Sequence, residues 1–213
     1  MGKITGLEDI GKVPPKVEKL YGAVRQLIQE GADVTNIKVS SLTELAGIGK
    51  GTAYEYFDTK EEIVACAVVY HVAVMMDWLR LRFHEKGSFA ESLDFMLDEI
   101  DMRNCRMQGF FWFVHMLTDN TEISHLVRQK IHAEEFARYE PVAFFRSELE
   151  ERRQKGELRH DQPLDYQVYV LFSHLVAYMM AVYTEKNLQL DMGTLRPLVC
   201  RGILKELCEK DDM

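Results

Sequence analysis

The sequence predicts an all-α protein, and three observations support that fold class. No segment of strand length alternates apolar and polar residues between turn signals. Only five of the 213 residues are proline. Apolar residues recur at helical spacing, as in Val17, Leu20, Val24 and Ile28 near the N-terminus. With 47% hydrophobic and 28% charged residues, the chain is neither disordered nor fibrous.

The first predicted helix begins at Pro14-Pro15 and ends at Gly31. Proline suits a first helical turn, whose N–H groups lack partners, and glycine adopts the left-handed conformation that stops a helix. Two short helices are expected next, at about 39–46 and 50–57, joined by a glycine-rich turn. This order of helix, tight turn and helix predicts a helix-turn-helix.

The remainder of the chain is predicted to form longer helices with short breaks. The fourth helix can be capped by Asp58 or Thr59, and Glu61 and Glu62 favour its positive first turn. Pro141 is expected to kink or restart a helix because it lacks a backbone N–H. The expected ranges are about 58–85, 88–106, 109–117, 121–140, 141–155, 164–186 and 194–209.

The predicted domain boundary near residue 60 separates regions of different charge. The chain carries 26 Lys+Arg and 34 Asp+Glu, a formal charge of −8, which argues against a protein that coats nucleic acid by bulk positive charge. Residues 1–60 hold eight bases and eight acids, so residues 61–213 account for the whole −8. A neutral helix-turn-helix domain on an acidic body predicts weak nonspecific binding and does not exclude DNA.

The cysteines and the apolar segments indicate the compartment. Four widely spaced cysteines without a C-x-x-C pair, and an N-terminus without the apolar run of a secretory signal, predict a cytoplasmic protein. Residues 166–184 contain no Asp, Glu, Lys or Arg and are long enough to span a bilayer. Their polar members and unbiased flanks favour a helix in a protein interface over a membrane helix.

The segment from Val39 to Phe57 carries the sharpest pattern in the chain. Its apolar residues can pack two short helices against the first and fourth helices, while Gly47 permits a sharp turn. The residues left outward at the start of the second short helix can bind phosphate or reach base edges in a major groove. They are Lys50, Gly51, Thr52, Tyr54 and Tyr56.

The run from Ile37 to Ile63 closely resembles the DNA-binding domain of tetracycline-repressor (TetR) family regulators. The resemblance is carried by Ala-Gly-Ile-Gly-Lys-Gly-Thr-Ala-Tyr-Glu-Tyr-Phe and the following Lys-Glu-Glu-Ile, and it covers residues 16 to about 65. The segment from Gly156 to Asp161, with the proline that follows, also resembles the approach to that family's dimerisation helix. The rest of the chain is similar only in length and helical character.

This resemblance implies roles for individual residues. The five outward residues named above correspond to recognition-helix contacts, and Lys60 corresponds to a phosphate contact. Ser40 and Ser41 match positions where the supporting helix can touch the DNA backbone, and Lys38 completes the predicted interface. Lys38 and Gly49 stand where the family often has a Ser or Thr cap, whose loss can cost around 1 kcal/mol. The first short helix therefore lacks its usual cap unless Ser40 or Ser41 supplies one by starting the helix later.

Other chemistries fit the sequence poorly. A P-loop and a dinucleotide-binding fingerprint both fail on the glycine spacing around residues 44–52. Glu122 and His125 form one E-x-x-H, whereas a di-iron bundle needs two. His84-Glu85 lacks the second histidine of a zinc protease, and no nucleophile elbow occurs. The sequence therefore predicts no enzymatic activity, no metal and no cofactor.

Aromatic residues in the second domain predict a pocket for an apolar or amphipathic small molecule. The four consecutive aromatics at 110–113 cannot all face one core, so some line a cavity or an interface. Such a cavity with few polar groups is typical of small-molecule sites, although core packing explains any single residue equally well. The predicted lining is Phe111, Trp112, His115, Met116, Phe136, Tyr139, Phe172 and Tyr178.

Together these features predict a homodimeric repressor of transcription. Domain 1–60 is expected to bind double-stranded DNA at a palindromic operator, and helices near 164–186 and 194–209 to form a four-helix dimer interface. A ligand in domain 61–213 is expected to favour a dimer whose recognition helices are too far apart for DNA. The alternatives are a helical small-molecule-binding protein without DNA binding, a membrane-associated protein built on 166–184, and an activator.

Overall fold

The computed structural model describes Leu7 and residues 9–102, 113–114, 116–184 and 190–208. Every regular element within these residues is helical, which confirms the predicted fold class. Short 3-10 helices cover Ile10–Lys12 and Glu134–Tyr139. The α-helices are α1 (Pro15–Gln29), α2 (Val39–Leu45), α3 (Lys50–Tyr56), α4 (Lys60–His84), α5 (Phe89–Asp101), α6 (Glu122–Ile131), α7 (Pro141–Gln154), α8 (Leu164–Thr184) and α9 (Met192–Cys208).

The described residues form two compact units, and α4 contributes to both. The first unit contains the residues up to Asp77 together with the described residues from 113 to Glu140. The second contains Trp78 to Met102 and the described residues from Pro141 onward. The predicted helix-turn-helix therefore lies entirely in the first unit.

Helix α1 supplies much of the first unit's core. Its apolar stripe at helical spacing is buried as predicted, with Val17, Leu20 and Tyr21 fully inaccessible. The Tyr21 ring lies 6.0 Å from the ring of Phe57, which follows α3, and 4.9 Å from the ring of Tyr70 on α4. Tyr21 thus packs the first helix against both the helix-turn-helix and the helix that follows it.

The ends of α1 and α4 agree with the sequence signals. Gly31 has a φ of 85°, and the next N–H, that of Ala32, donates to the Leu27 carbonyl at 2.9 Å. The hydroxyl of Thr59 accepts the Glu62 N–H at 3.1 Å, so Thr59 caps α4. Both ends were predicted, since each depends on the type of a single local residue.

The segment predicted as one helix over 121–140 is broken in the structure. Helix α6 ends at Ile131, Ala133 is extended, and a 3-10 helix covers Glu134–Tyr139. A 3-10 helix places residues three apart on one side. Phe136 and Tyr139 are accordingly both buried, with ring centroids 5.9 Å apart. The segment after the break thus carries a buried aromatic pair.

The second unit is fastened by the buried guanidinium of Arg152 at the end of α7. It donates to the carbonyls of Lys86 and Gly87, at 3.1 and 3.3 Å, and to the Ser92 hydroxyl on α5 at 3.1 Å. It also pairs with the Glu157 carboxylate at 3.0 Å. This one side chain therefore joins the α4–α5 connection, α5 and the segment after α7.

Helices α4 and α8 are long and apolar enough to cross a membrane, judged by length and composition. In α4, 72% of the most apolar stretch is buried, as in the core helix of a soluble protein. The corresponding share for Leu164–Tyr183 is 44%. Along α8, the exposed residues Tyr166, Tyr169 and Met180 lie on one helical side.

Candidate nucleic-acid interface

Helices α2 and α3 form a tight helix-turn-helix around Gly47. This residue has a φ of 65°, a left-handed conformation that glycine adopts without steric cost. The Gly47 N–H donates to the Glu44 carbonyl at 3.1 Å, and the Ile48 N–H donates to the Thr43 carbonyl at 3.0 Å. These two bonds satisfy the last carbonyls of α2 and set the direction in which the chain enters α3.

The inward side of the motif is apolar and closed to solvent. Leu42, Ala53 and Phe57 are fully buried. Thr43 is also buried, and its hydroxyl donates to the Val39 carbonyl at 3.0 Å, so it carries no unsatisfied polar group inside. Packing of this side fixes which residues of α3 point outward.

The outward side of α3 carries the residues predicted to bind DNA. Lys50, Gly51 and Tyr54 are exposed, and Thr52 and Tyr56 are half-buried. Tyr54 keeps 45% of its surface accessible, which is unusual for a large aromatic residue. A Cβ placed on Gly51 would meet nothing within 4 Å, so the backbone is open to an approaching partner there.

Helix α2 has no side-chain cap at its start. The helix begins at Val39 with Lys38 in the cap position, and no side chain bonds to its first N–H groups. Ser40 and Ser41 lie inside the helix and do not supply the missing cap. Lys38 and Ser41 are exposed and Ser40 is half-buried. Gly49 likewise leaves α3 without a side-chain cap.

Lys60 is engaged with the loop that precedes α2. Its ammonium donates to the Thr35 carbonyl at 2.8 Å and lies 3.1 Å from the Glu61 carboxylate. The same loop is closed by Asp33, which accepts the Thr35 hydroxyl at 2.8 Å and the Asn36 amide at 2.7 Å. Hydrogen bonds from Thr35 and Asn36 lower the pKa of Asp33. Lys60 therefore positions the entry to α2, besides its predicted role at a phosphate.

Sequence reasoning missed this loop, although its residue types signal it. Asp followed two and three residues later by Thr and Asn favours a turn in which the carboxylate accepts local donors. A cleft of about 330 Å³ lies beside it, lined by Leu27, Ala32, Asp33, Asn36, Ile37, Lys38 and Ser41. Two of the predicted DNA-binding residues thus border a concave surface.

The predicted effector pocket is only partly covered by the described residues. Phe111, Trp112 and His115 lie outside them. Met116, Phe136 and Tyr139 are buried in the first unit, whereas Tyr178 is buried and Phe172 half-buried in the second. A cleft of about 430 Å³ in the second unit is lined by other residues, namely Glu85, Lys86, Gly87, Glu91, Asp94, Phe95 and Asp98.

Tyr178 has a specific polar partner. Its hydroxyl donates to the Asp101 carboxylate at 2.5 Å, and burial together with this bond raises its pKa. The other Asp101 oxygen lies 3.0 Å from Arg196 on α9, which also pairs with Asp94 and Asp98. Tyr178 therefore links α8 to a charged network between α5 and α9.

Comparison with known proteins places the fold. Neither a family model nor a curated protein matches the chain. Solved structures do match, among them the transcriptional regulator FadR from Bacillus subtilis in complex with stearoyl-CoA. It is 17% identical, with a TM-score of 0.65 over 88% of this chain and 97% of that one.

Two further structures agree over similar spans. The fatty acid degradation regulator FadR from Bacillus halodurans is 19% identical, with a TM-score of 0.67 over 91% of this chain and 96% of that one. A TetR family transcription regulator from Marinobacter aquaeolei is 15% identical, with a TM-score of 0.59 over 92% and 97%. The chain therefore has the all-α fold of TetR-family and FadR-type transcriptional regulators.

Proposed function

We propose that this chain is a transcription regulator that binds double-stranded DNA through its N-terminal helices and responds to a small-molecule effector. Domain 1–60 reads DNA, and domain 61–213 binds the effector and a second copy. The observation that carries the proposal is the outward side of α3, where Lys50, Gly51 and Tyr54 are exposed on a helix held by the buried residues behind it. The proposal assigns no catalytic activity to the chain.

The chemistry of this surface suits a recognition helix. Lysine pairs with phosphate or with a guanine edge, tyrosine donates a hydrogen bond while stacking its ring, and glycine lets the backbone come close. The resemblance to TetR-family regulators assigns phosphate or backbone contacts to Lys38, which precedes α2, to Ser40 and Ser41 on α2, and to Lys60 at the start of α4. Because residues 1–60 are neutral overall, affinity must come from these few placed contacts rather than from bulk charge.

The apolar surface of the last two helices supports the proposed dimer. Tyr166, Tyr169 and Met180 on α8 and Leu198 on α9 are large apolar residues exposed to solvent. A second copy, related by a two-fold axis, would cover them with the same residues in a four-helix interface. Two recognition helices related in this way require a palindromic operator with half-sites about 34–36 Å apart or more.

An amphipathic effector is the favoured ligand class. The Bacillus subtilis neighbour was solved with stearoyl-CoA, a molecule with a long apolar chain and a polar head. The buried aromatic and methionine residues predicted for the pocket suit the apolar part of such a ligand. Effector binding would favour a dimer state with lower DNA affinity, and DNA would weaken effector binding by the same factor.

A selection from random duplex DNA, followed by titration of the enriched sequence, tests the proposal. Lys50→Ala and Tyr54→Ala should each weaken binding by about 10-fold or more, since a base or phosphate contact contributes roughly 1–3 kcal/mol. Lys19→Ala, which removes an exposed lysine of α1 outside the motif, should leave affinity unchanged. Equal affinities for all three variants and the wild type would contradict the assignment.

Two further variants separate contact from folding. Gly51→Ala should not destabilise α3, because alanine favours a helix and the site is open, yet it should weaken DNA binding by obstructing close approach. Lys60→Ala should lower the salt dependence of binding by about one counterion if Lys60 meets a phosphate. Weaker binding at an unchanged salt slope would show that Lys60 only positions the loop at Thr35.

The selection also distinguishes the alternative function. A helical binding protein without DNA activity would enrich no sequence and would bind an acyl-chain ligand with an affinity that DNA does not change. Recovery of a palindrome that is released by such a ligand supports the proposed regulator. Recovery of a palindrome from which no such ligand releases the protein would support the proposed DNA binding and contradict the proposed response to an effector.

A further inference from the structure

Three side chains that can bind metal meet between α4 and α7 in the second unit. His84 is the last residue of α4, and Glu148 and Glu151 lie one turn apart on α7. His84 Nε2 lies 3.5 Å from Glu148 Oε1, and His84 Nδ1 lies 4.0 Å from Glu151 Oε2. One ligand atom from each residue lies within 4.8 Å of the others.

Glu148 is the unusual member of this cluster. The residue is only 5% exposed, and a buried carboxylate needs hydrogen bonds or a nearby cation to offset its lost hydration. Among the described residues, Glu148 forms an ion pair with His84. Its Oε1 lies 3.5 Å from His84 Nε2, which is longer than a good hydrogen bond. Burial accordingly raises the pKa of the Glu148 carboxyl. The carboxylate is thus aimed into the cluster with little compensation.

The neighbouring arginines do not supply that compensation in full. The guanidinium of Arg152 is used by Glu157, by Ser92 and by two backbone carbonyls. Arg80, one turn before His84, lies over the Phe144 ring at 5.7 Å. Its positive charge opposes a second cation nearby and should weaken metal binding.

We propose that His84, Glu148 and Glu151 form a binding site for a divalent transition-metal cation such as Zn²⁺. Ligands about 2.1 Å from a tetrahedral zinc lie about 3.4 Å from one another, and the His84–Glu148 pair already has that separation. Glu151 is half-exposed, with one oxygen held by Lys155 at 2.6 Å and the other 4.0 Å from Nδ1, whereas Glu148 faces Nε2. Because one imidazole gives a metal one nitrogen, the exposed Glu151 side chain must rotate to join a cation bound at Nε2 and Glu148. An imidazole among the ligands favours zinc, cobalt or nickel over magnesium or calcium.

Metal binding here would fix the contact between α4 and α7. The cation would replace a long ion pair with three coordinate bonds, leaving a fourth position for water. Because His84 is the last residue of α4, the metal would hold the C-terminal end of this helix. The measurement requires neither DNA nor an effector, so it succeeds or fails independently of the proposed function.

Titration of the untagged chain with Co²⁺ tests the site, because the visible absorption of cobalt reports its coordination. We expect one Co²⁺ per chain, displaced by Zn²⁺, and a rise in Tm when either metal is added. His84→Ala and Glu151→Gln should each weaken binding at least 10-fold. His132→Ala, which removes an exposed histidine elsewhere, should have no effect.

Glu148→Gln tests metal binding even if the other variants fail to fold. The amide has nearly the same volume and is easier to bury than a carboxylate, so the metal-free Tm should not fall. Co²⁺ binding should nevertheless be lost. Failure of the wild type to bind millimolar Co²⁺, or equal binding by the His84→Ala and wild-type chains, would overturn the proposal and leave the cluster as an ion pair between two helices.

Discussion

His71 on α4 is a mostly buried imidazole whose surroundings keep it neutral. Its Nε2 donates to the Tyr21 carbonyl of α1 at 2.9 Å, and its ring packs edge-on against Tyr70 at 5.2 Å. Burial lowers its pKa to about 4, and the positive charge of Arg25 acts in the same direction. The first unit therefore contains an imidazole that burial holds in its neutral form at neutral pH.

This pKa predicts a specific loss of stability in acid. In the unfolded chain His71 should titrate near 6.5, so between about pH 6.5 and pH 4 the unfolded state binds more protons. The stabilising contribution is full above pH 6.5 and is lost as pH falls towards 4, by up to about 3 kcal/mol for a shift of this size. Urea unfolding at a series of pH values measures it.

The control for this experiment is His71→Gln, whose amide can still donate to the Tyr21 carbonyl. Carboxylates also titrate in this range, so the informative quantity is the difference between the two proteins. The stability of the variant should fall less steeply with acid than that of the wild type. Parallel curves would show that protonation of His71 is not coupled to unfolding.

Lys60 shows how far residue types alone can predict a site. The resemblance to TetR-family regulators implies a phosphate contact for this residue, whereas its bond to the Thr35 carbonyl joins residues 25 apart in sequence. The His84–Glu148 pair is separated by 64 residues, and the Tyr178–Asp101 bond by 77. Such pairs depend on how helices pack, which periodicity does not encode, so the sequence predicted none of the three.

At the scale of elements, α2 and α3 are too short to be stable alone. Each has seven residues, well below the roughly 12–15 needed for even a marginal isolated helix in water, and neither has a side-chain cap. Their stability must come from the buried side around Leu42, Ala53 and Phe57 and from the backbone bonds at Gly47. The turn is thus a structural requirement for the outward display of Tyr54.

Replacing Gly47 or Gly22 by alanine should change the free energy of unfolding in opposite directions. A Cβ at either position would meet nothing within 4 Å, so only the backbone conformation differs. Gly47→Ala forces alanine into a left-handed conformation and should lower the free energy of unfolding by about 1 kcal/mol or more. Gly22→Ala lies inside α1 and should raise it by up to about 1 kcal/mol.

Chemical denaturation of the two variants beside the wild type measures both effects. Gly47→Asn should be less damaging than Gly47→Ala, since asparagine tolerates the left-handed region. If Gly47→Ala were as stable as the wild type, the φ of 65° would not be a requirement of the turn. If Gly22→Ala lowered the free energy of unfolding, there would not be room for a methyl group beside Gly22.

Helix ends were predictable where one residue decides them and not where packing does. Gly31 and Thr59 end and begin their helices as the local signals indicate. The break after Ile131 is different, because the chain leaves the helix without such a local signal. The sequence between 121 and 140 contains no proline or glycine, so nothing local marks the break.

At the scale of the whole molecule, the exposed apolar side of α8 and α9 should be covered by a second copy. Leu198→Glu places a charge within this proposed interface and should halve the mass measured by light scattering. Binding to a DNA carrying two half-sites should weaken strongly, because one recognition helix then acts alone. Leu81→Glu on α4 is the matched control, since Leu81 is more exposed, at 62% against 49%, but lies outside α8 and α9.

The control should remain dimeric and bind DNA normally. Dissociation of Leu81→Glu with retention of the Leu198→Glu dimer would move the interface away from α8 and α9. A wild-type monomer at all concentrations would reject the dimer itself. The sequence predicted an interface helix at 166–184 because this uncharged stretch contains polar residues and has flanks without the basic bias of a membrane helix.

Arg152 has a consequence for how the chain tolerates change. The two terminal nitrogens of its planar guanidinium donate to acceptors from several separate segments, and no other side chain offers that number of donors in that geometry. Lysine at this position would leave some of the buried acceptors without a donor, and an apolar residue would leave all of them without one. In a saturation library selected for folded protein, codon 152 should therefore retain a single amino acid, while neighbouring surface codons vary freely.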